Sequence, residues 1–366
     1  MRGWSLFLAC VCALSGPVAA QTSGSGATAT GISRDFNPAI SVNGLFLAAG
    51  FPGLPDSTAA AWGRESGLRL QEAEVQFTAA IDPYAKADLV FSFEDGVFDI
   101  EEAIVSSTVL SHGIGLRAGR MFVPIGHENT LHTHQLPFVE RSLVGTAVLG
   151  EGLGEFGVEA AYVPALPFFF EVRGAVYNGD DDALFAAPGS WDLAYAGGLD
   201  ALWDVSEGGT FALGADYCGG PNAAGSADDA AWTHLAAGVL RYKWRSPTRA
   251  RERALELMLE YLYSEQDASV PAARHQQRGV YGDAKVQFAR RWWVQGRYDY
   301  LPAASVGGVD VADAATQRGC LLLAFVPSEF SALRLQGSVV DAPEETYGEV
   351  FLQFNFTIGS HPAHKY

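Results

Sequence analysis

The sequence predicts an all-β fold: a transmembrane antiparallel β-barrel of about 16 strands, with a long third extracellular loop folded into the lumen. Three observations lead there. Apolar and polar side chains alternate with period two from Phe36 to Ile358, about sixteen such stretches recur at even spacing, and the joins between them are mostly tight on one rim and long on the other. A chain that is 48% hydrophobic and only 18% charged is neither disordered nor a coiled coil, and past the N terminus no run reaches the ~18 apolar residues of a helical span. Its 366 residues would otherwise suit two soluble domains.

Taken in order, residues 1–20 read as an export signal: Arg2, an apolar stretch from Trp4 to Leu14, Gly16-Pro17, then Val18-Ala19-Ala20 before Gln21, small residues where a signal peptidase cuts. The apolar stretch is too short for a membrane-spanning helix. Export implies the outer membrane of a Gram-negative bacterium, reached through the periplasm. Cys10 and Cys12 leave with the signal, and Cys218 and Cys320 stand far apart without metal or redox spacing. Residues 21–35 have the small, polar composition of a periplasmic tether, 36–358 form the barrel, and 359–366 form a tail containing His361 and His364.

Strands are expected near 37–49, 67–81, 84–94, 98–110, 113–122, 154–163, 168–178, 191–203, 210–218, 232–244, 254–264, 278–289, 292–301, 317–326, 331–341 and 347–358. The clearest is Leu255, Leu257, Leu259, Tyr261 and Tyr263, alternating with Glu256, Met258, Glu260 and Leu262. Tight joins such as Asp82-Pro83 and Arg290-Arg291 alternate with long ones such as 50–66 and 123–153, as in a barrel with short periplasmic turns. Tyr84, Tyr162, Tyr177, Trp203, Trp244, Tyr261, Tyr263, Trp292, Tyr298 and Tyr300 lie near strand ends and read as an aromatic girdle at the headgroup layer. The final strand sets Val350, Leu352, Phe354, Phe356 and Ile358 on one face, resembling the signal read by the barrel assembly machinery.

The polar partner in each alternation points to the lumen. The acids so assigned are Glu72, Glu74, Asp88, Glu94, Glu155, Glu159, Glu171, Asp192, Asp200, Asp216, Glu256, Glu260, Asp283, Asp299 and Glu349; the bases are Lys86, Arg117, Arg173, Lys285, Arg297 and Arg334. A lining so biased predicts passive diffusion with a cation preference, because like charges between low-dielectric walls focus their field on the pore. The net charge of −18 also excludes a protein that grips nucleic acid by its phosphates.

The join from Val123 to Leu153 is too long for a turn, and a barrel of this size needs something to narrow it. It is the expected constriction, through His127, Glu128, His132, His134, Glu140 and Arg141. His132-x-His134 on extended chain turns both imidazoles to one side, and His361-x-x-His364 can do so on a turn. Zinc or another divalent transition metal is therefore a candidate ligand or solute for His127, His132, His134, His361 and His364, although no cofactor is required and polar filler is the bland alternative.

The stretch Gly119-Arg120-Met121-Phe122-Val123-Pro124-Ile125-Gly126-His127-Glu128-Asn129, followed by Phe138-Val139-Glu140-Arg141-Ser142-Leu143, resembles the outer-membrane porins grouped with phosphate-selective porins O and P. The resemblance implies a homotrimer in outer-membrane lipid, passing small solutes or cations past an inward third loop. The chain departs from the phosphate-binding pattern in lacking a lumenal ladder of Arg and Lys. Its His-Thr-His segment and His-Pro-Ala-His-Lys-Tyr ending look more like an uncharacterised, zinc-associated branch. Three other readings compete: a TonB-dependent or zinc-regulated metal-uptake receptor, for which the short tether supplies no plug; a structural or adhesive barrel; and an outer-membrane enzyme, for which Ser111, His112 and His234 lack a catalytic partner arrangement.

Overall fold

The computed structural model describes residues 38–359 apart from 95, 109, 111, 182, 187, 188, 190, 226–230, 269–273, 312 and 313. The export signal, the tether, Ser111, and His361 and His364 of the tail lie outside the described residues.

The strands in chain order are β1 (Ala39–Gly50), β2 (Gly67–Asp82), β3 (Ala85–Glu94), β4 (Val97–Ser107), β5 (Ile114–Phe122), β6 (Gly154–Tyr162), β7 (Phe169–Tyr177), β8 (Ala194–Ser206), β9 (Gly209–Pro221), β10 (Trp232–Arg245), β11 (Ala254–Gln266), β12 (His275–Ala289), β13 (Trp292–Leu301), β14 (Ser305–Val306), β15 (Val309–Asp310), β16 (Thr316–Ser328), β17 (Ser331–Asp341) and β18 (Thr346–Gly359). β14 and β15 form a two-residue ladder inside one connection, while β13 pairs directly with β16. The other sixteen form the wall, each antiparallel to its neighbours, and β18 pairs back onto β1 from Ser41↔Gly359 to Gly50↔Val350. The barrel is therefore closed, with no unpaired sheet edge among the wall strands. Every expected strand has its counterpart, with no bound displaced by more than three residues.

Burial is inverted relative to a soluble protein. On β11, Leu257, Leu259 and Tyr261 are 41%, 46% and 45% exposed, whereas Glu260 is fully buried. The same alternation leaves Leu333, Leu335, Val350, Leu352, Phe354 and Ile358 outward on the closing strands. A wall with apolar residues outside and carboxylates inside suits lipid around it and water within. Tyr84, Tyr162, Tyr261, Trp292, Tyr298 and Tyr300 are exposed as a girdle requires, but Tyr177 is not: it shares the inward parity of Ala175 and is buried in the interior cluster with Val123 and Leu153.

Besides register shifts at strand ends, two strand pairings break period two in mid-strand. Where β2 pairs β1, Leu45↔Glu72 is followed by Phe46↔Leu70, leaving Gln71 as an extra residue. Where β4 pairs β3, Val90↔Glu102 is followed by Phe91↔Ile100, leaving Glu101 extra. Each is a β-bulge, which re-aims side chains locally.

Candidate functional site: the loop across the lumen

The connection 123–153, called L3 below, starts and ends at one stapled neck. Val123 N–H donates to Leu153 O at 2.9 Å, and the buried Asn129 donates from Nδ2 to Val123 O and Leu153 O while accepting from Leu153 N–H. Pro124 and Gly126 turn the chain inward; Gly126 takes φ +67, a left-handed conformation that favours glycine. Its N–H donates to Asp216 Oδ2 on β9 at 3.1 Å, and the next N–H, of His127, donates to Glu260 Oε1 on β11.

Glu128 lies buried at the turn and accepts from the N–H and hydroxyl of Ser142, the latter at 2.7 Å. Ser142 in turn caps helix α1 (Leu143–Leu149) through Gly145 N–H. The Glu128 and Glu140-Arg141-Ser142-Leu143 segments of the sequence motif are thus two ends of one clasp. Across the lumen, Arg297 of β13 donates to Glu140 O and Arg141 O, and Arg318 of β16 donates to Arg141 O at 2.6 Å and to Asp299 Oδ2 at 2.9 Å. Further along the far wall, Arg334 donates to Leu136 O and Gln336 accepts from Val139 N–H. Phe138 and Val139 pack there with Leu322, Phe351 and Tyr347, joined by Phe51 and Leu54 from the 51–66 connection, whose Arg64 reaches Glu140 at 2.6 Å.

L3 therefore touches β2, β4, β9, β11, β13, β16, β17 and β18, so it bridges opposite walls. This arrangement changes the meaning of several expected lining residues. Glu260, Arg297, Asp299 and Glu349 face inward but are buried beneath L3 and serve to hold it. Glu155 is buried too; it accepts from Gly179 and Asp180 N–H and anchors the 178–193 connection, which also holds Asp192. Glu72 and Glu74 are buried under L3 on the opposite side.

Lys86, Asp88, Arg117, Glu159, Glu171, Arg173, Asp200, Asp216, Glu256, Asp283, Lys285 and Arg334 line an aqueous cavity of about 1790 Å³ that opens toward the short turns, whereas Glu94, exposed at the end of β3, does not. Arg241 and Lys243, missed in the sequence because their strand reads as a continuous mixture, line it as well. Its acids are largely paired: Arg117–Glu159, Arg173–Asp200 and Arg173–Asp216 each close to 2.8 Å, Lys86–Asp88 to 2.9 Å. The vestibule also carries Arg245, Arg251, Arg290 and Arg291, so the acid excess counted along the strands is not its aqueous face.

The loop histidines separate into two places. His127 accepts at Nδ1 from Arg241 at 3.4 Å; desolvation together with the cations of Arg241 and Lys243 lowers its pKa to about 3. His127 thus faces two cations and stands apart from the other two loop histidines. His132 and His134 do come together, their rings stacked 6.0 Å apart. His132 Nδ1 lies 2.6 Å from Glu101 Oε2 and its Nε2 3.2 Å from Glu102 Oε2, while His134 Nδ1 lies 3.1 Å from Glu74 Oε2. Desolvation opposes charge on His132, but the bonds from Glu101 and Glu102 and the charge of Glu74 win, and its pKa is raised well above the ordinary value.

No family model matches the chain. A protein of Aquifex aeolicus (strain VF5), named only "Uncharacterized protein", is 28% identical over 333 residues, spanning 82% of this chain and 70% of that one. Among solved structures, the chain is similar to an anion-selective porin from Comamonas acidovorans, with a TM-score of 0.58 and 12% identity over 88% of this chain and 100% of that one. It is also similar to OmpT, an outer membrane protein of Vibrio cholerae, in a trimer form: TM-score 0.56, 10% identity, 88% of this chain and 100% of that one. These likenesses establish the fold, that of outer-membrane porins.

Proposed function

We propose that this protein is an outer-membrane porin through which small solutes diffuse passively, narrowed by L3 and modestly selective for cations. The observation that carries the reading is the strap of L3 across a closed sixteen-stranded barrel, held at both walls by buried polar contacts. Such a loop narrows a wide lumen without blocking the vestibule beneath it. Most of its contacts are hydrogen bonds and ion pairs that position the backbone of L3, and the Ser142 hydroxyl is committed to Glu128 and to capping the helix, which supports a channel reading.

Selectivity belongs to the constriction. The vestibule pairs most of its charges, whereas Glu72, Glu74, Glu101 and Glu102 gather where His132 and His134 of L3 meet β2 and β4. Of these Glu102 faces the lumenal cavity, and a local excess of negative charge beside the conducting path favours small cations. Arg297, Arg318 and Arg334 are engaged with L3 and form no open ladder, which supports no selection of phosphate despite the resemblance in the loop motif. A homotrimer fits this reading: Gly282, Gly296, Gly319 and Gly337 lie among outward Leu257, Tyr298, Leu321 and Val339, making a low patch on the outer face where a second barrel can approach closely.

The test is the reversal potential of the refolded protein in a planar bilayer under a potassium chloride gradient. The expected sign is that of moderate potassium preference. A chloride-selective potential contradicts the assignment of the constriction, and absence of conductance contradicts the porin reading.

A further inference from the structure

We propose that His134, Glu74 and Glu72, beside the adjoining trio of His132, Glu74 and Glu101, form a binding site for one zinc-like divalent transition metal ion, which ties L3 to strand β2.

The two bulges build the site. The extra residue at Glu101 turns two successive acids of β4, Glu101 and Glu102, toward His132, and the extra residue at Gln71 lets Gln71 bond Val139 O while Glu72 still points inward. Between them β3 offers only Val90 and Ser92 as the buried floor. Four carboxylates therefore surround two imidazoles in a place largely shielded from water. Even with both imidazoles protonated the cluster lacks two positive charges, and among the described residues no lysine or arginine forms an ion pair with any of the four. Arg117, the guanidinium that feels Glu102, is committed to Glu159 at 2.8 Å. Buried charge left unbalanced in this way is costly, and a divalent cation is the compact remedy.

A second observation is independent of the charge count. Glu72 is 4% exposed, and its Oε1 has no hydrogen-bond partner although Thr133 reaches the same carboxylate. Its ligand atom lies within 4.8 Å of those of Glu74 and His134, and those of Glu74, Glu101 and His132 are gathered equally closely. Glu74 Oε2 lies 3.1 Å from His134 Nδ1 and 3.4 Å from His132 Nδ1. The 3.1 Å separation matches the edge of a tetrahedron with bonds of ~2.0–2.1 Å, and an imidazole nitrogen together with carboxylate oxygens suits zinc or cobalt rather than calcium or magnesium. His132 and His134 line the aqueous cavity, so an ion can reach them from the lumen.

The proposal is tested on the full chain, refolded in detergent and stripped with a chelator, by titration with zinc followed calorimetrically and with cobalt(II) followed by its visible absorption. Binding is read directly, so the result stands apart from whether the barrel conducts. The wild type is expected to take up one ion per chain at micromolar concentration or below. H132A/H134A should weaken binding by at least about a hundredfold and E72Q by about tenfold, within the range seen for perturbed metal sites, while H127A and H361A/H364A should bind as the wild type does. Equal binding by wild type and H132A/H134A, or loss of the ion in H361A/H364A alone, overturns the proposal. X-ray absorption at the zinc edge of the loaded wild type guards against a misfolded variant: an imidazole with oxygen ligands supports the site, and an all-oxygen shell overturns it.

Discussion

Gly126 shows how much of the constriction rests on single residues. It combines φ +67 with an N–H bonded to Asp216, and a Cβ built there would stand 2.1 Å from Glu260 Oε1. Gly126→Val should therefore cost roughly 1–3 kcal/mol in backbone strain alone, with the added clash releasing the first turn of L3; the expected result is faster protease cleavage within 124–142 from an otherwise heat-resistant barrel. Its neighbour His127 makes a pH prediction. With a folded pKa of about 3 against an ordinary 6.5, the unfolded chain binds a proton between those values that the folded chain refuses. The contribution of His127 to stability is complete above pH 6.5 and falls away as the pH drops toward 3. His127→Gln should thus flatten the acid side of the stability curve, measured as the urea midpoint between pH 7 and pH 4; an unchanged slope contradicts the neutral assignment.

At the scale of elements, L3 is a strap with two anchored ends. Arg318 is the far anchor: 1% exposed, bonded to Asp299, Arg141 O and Glu140. Arg318→Met leaves Asp299 buried beside Arg297 alone, and breaking a buried pair from one side costs about 3–5 kcal/mol. The expected outcome is loss of hydrogen-exchange protection at Val139 and Ser142 while the strand amides of β16 and β17 stay protected. Much of this strap is legible in the sequence, because Pro124, Gly126, Glu128 and the Glu140–Leu143 segment carry turn and cap chemistry that stands out from period-two strands. Its partners are less so. Glu101 and Glu102 escape a strict alternation because a bulge places successive residues on one face, and nothing local marks a bulge in Val97–Ser107. The burial of Glu260, Asp299 and Glu349 escapes it too, since alternation tells inside from outside but not which inner residues a distant loop will cover.

For the whole molecule, strand number, strand order and the identity of the lumenal face follow from alternation and join length, because a closed antiparallel barrel leaves few other ways to satisfy sixteen amphipathic strands. The outward face makes its own prediction. Leu335 is 50% exposed on β17, and Leu335→Arg should destabilise the folded barrel in lipid by about 2–4 kcal/mol if it lies near the bilayer midplane. Placing arginine at the inward neighbour Gln336 should instead disturb L3, which bonds it through Val139. The net charge of −18 does not translate into an acidic vestibule, whose lining carries many arginines, while an excess of carboxylates gathers beside His132 and His134. The central claim is that L3 narrows the conducting path, and single-channel conductance tests it most directly. A variant with residues 131–140 replaced by a short Gly-Ser bridge, compared with the wild type in the same bilayer and salt, should conduct several-fold more; equal conductance would contradict the account.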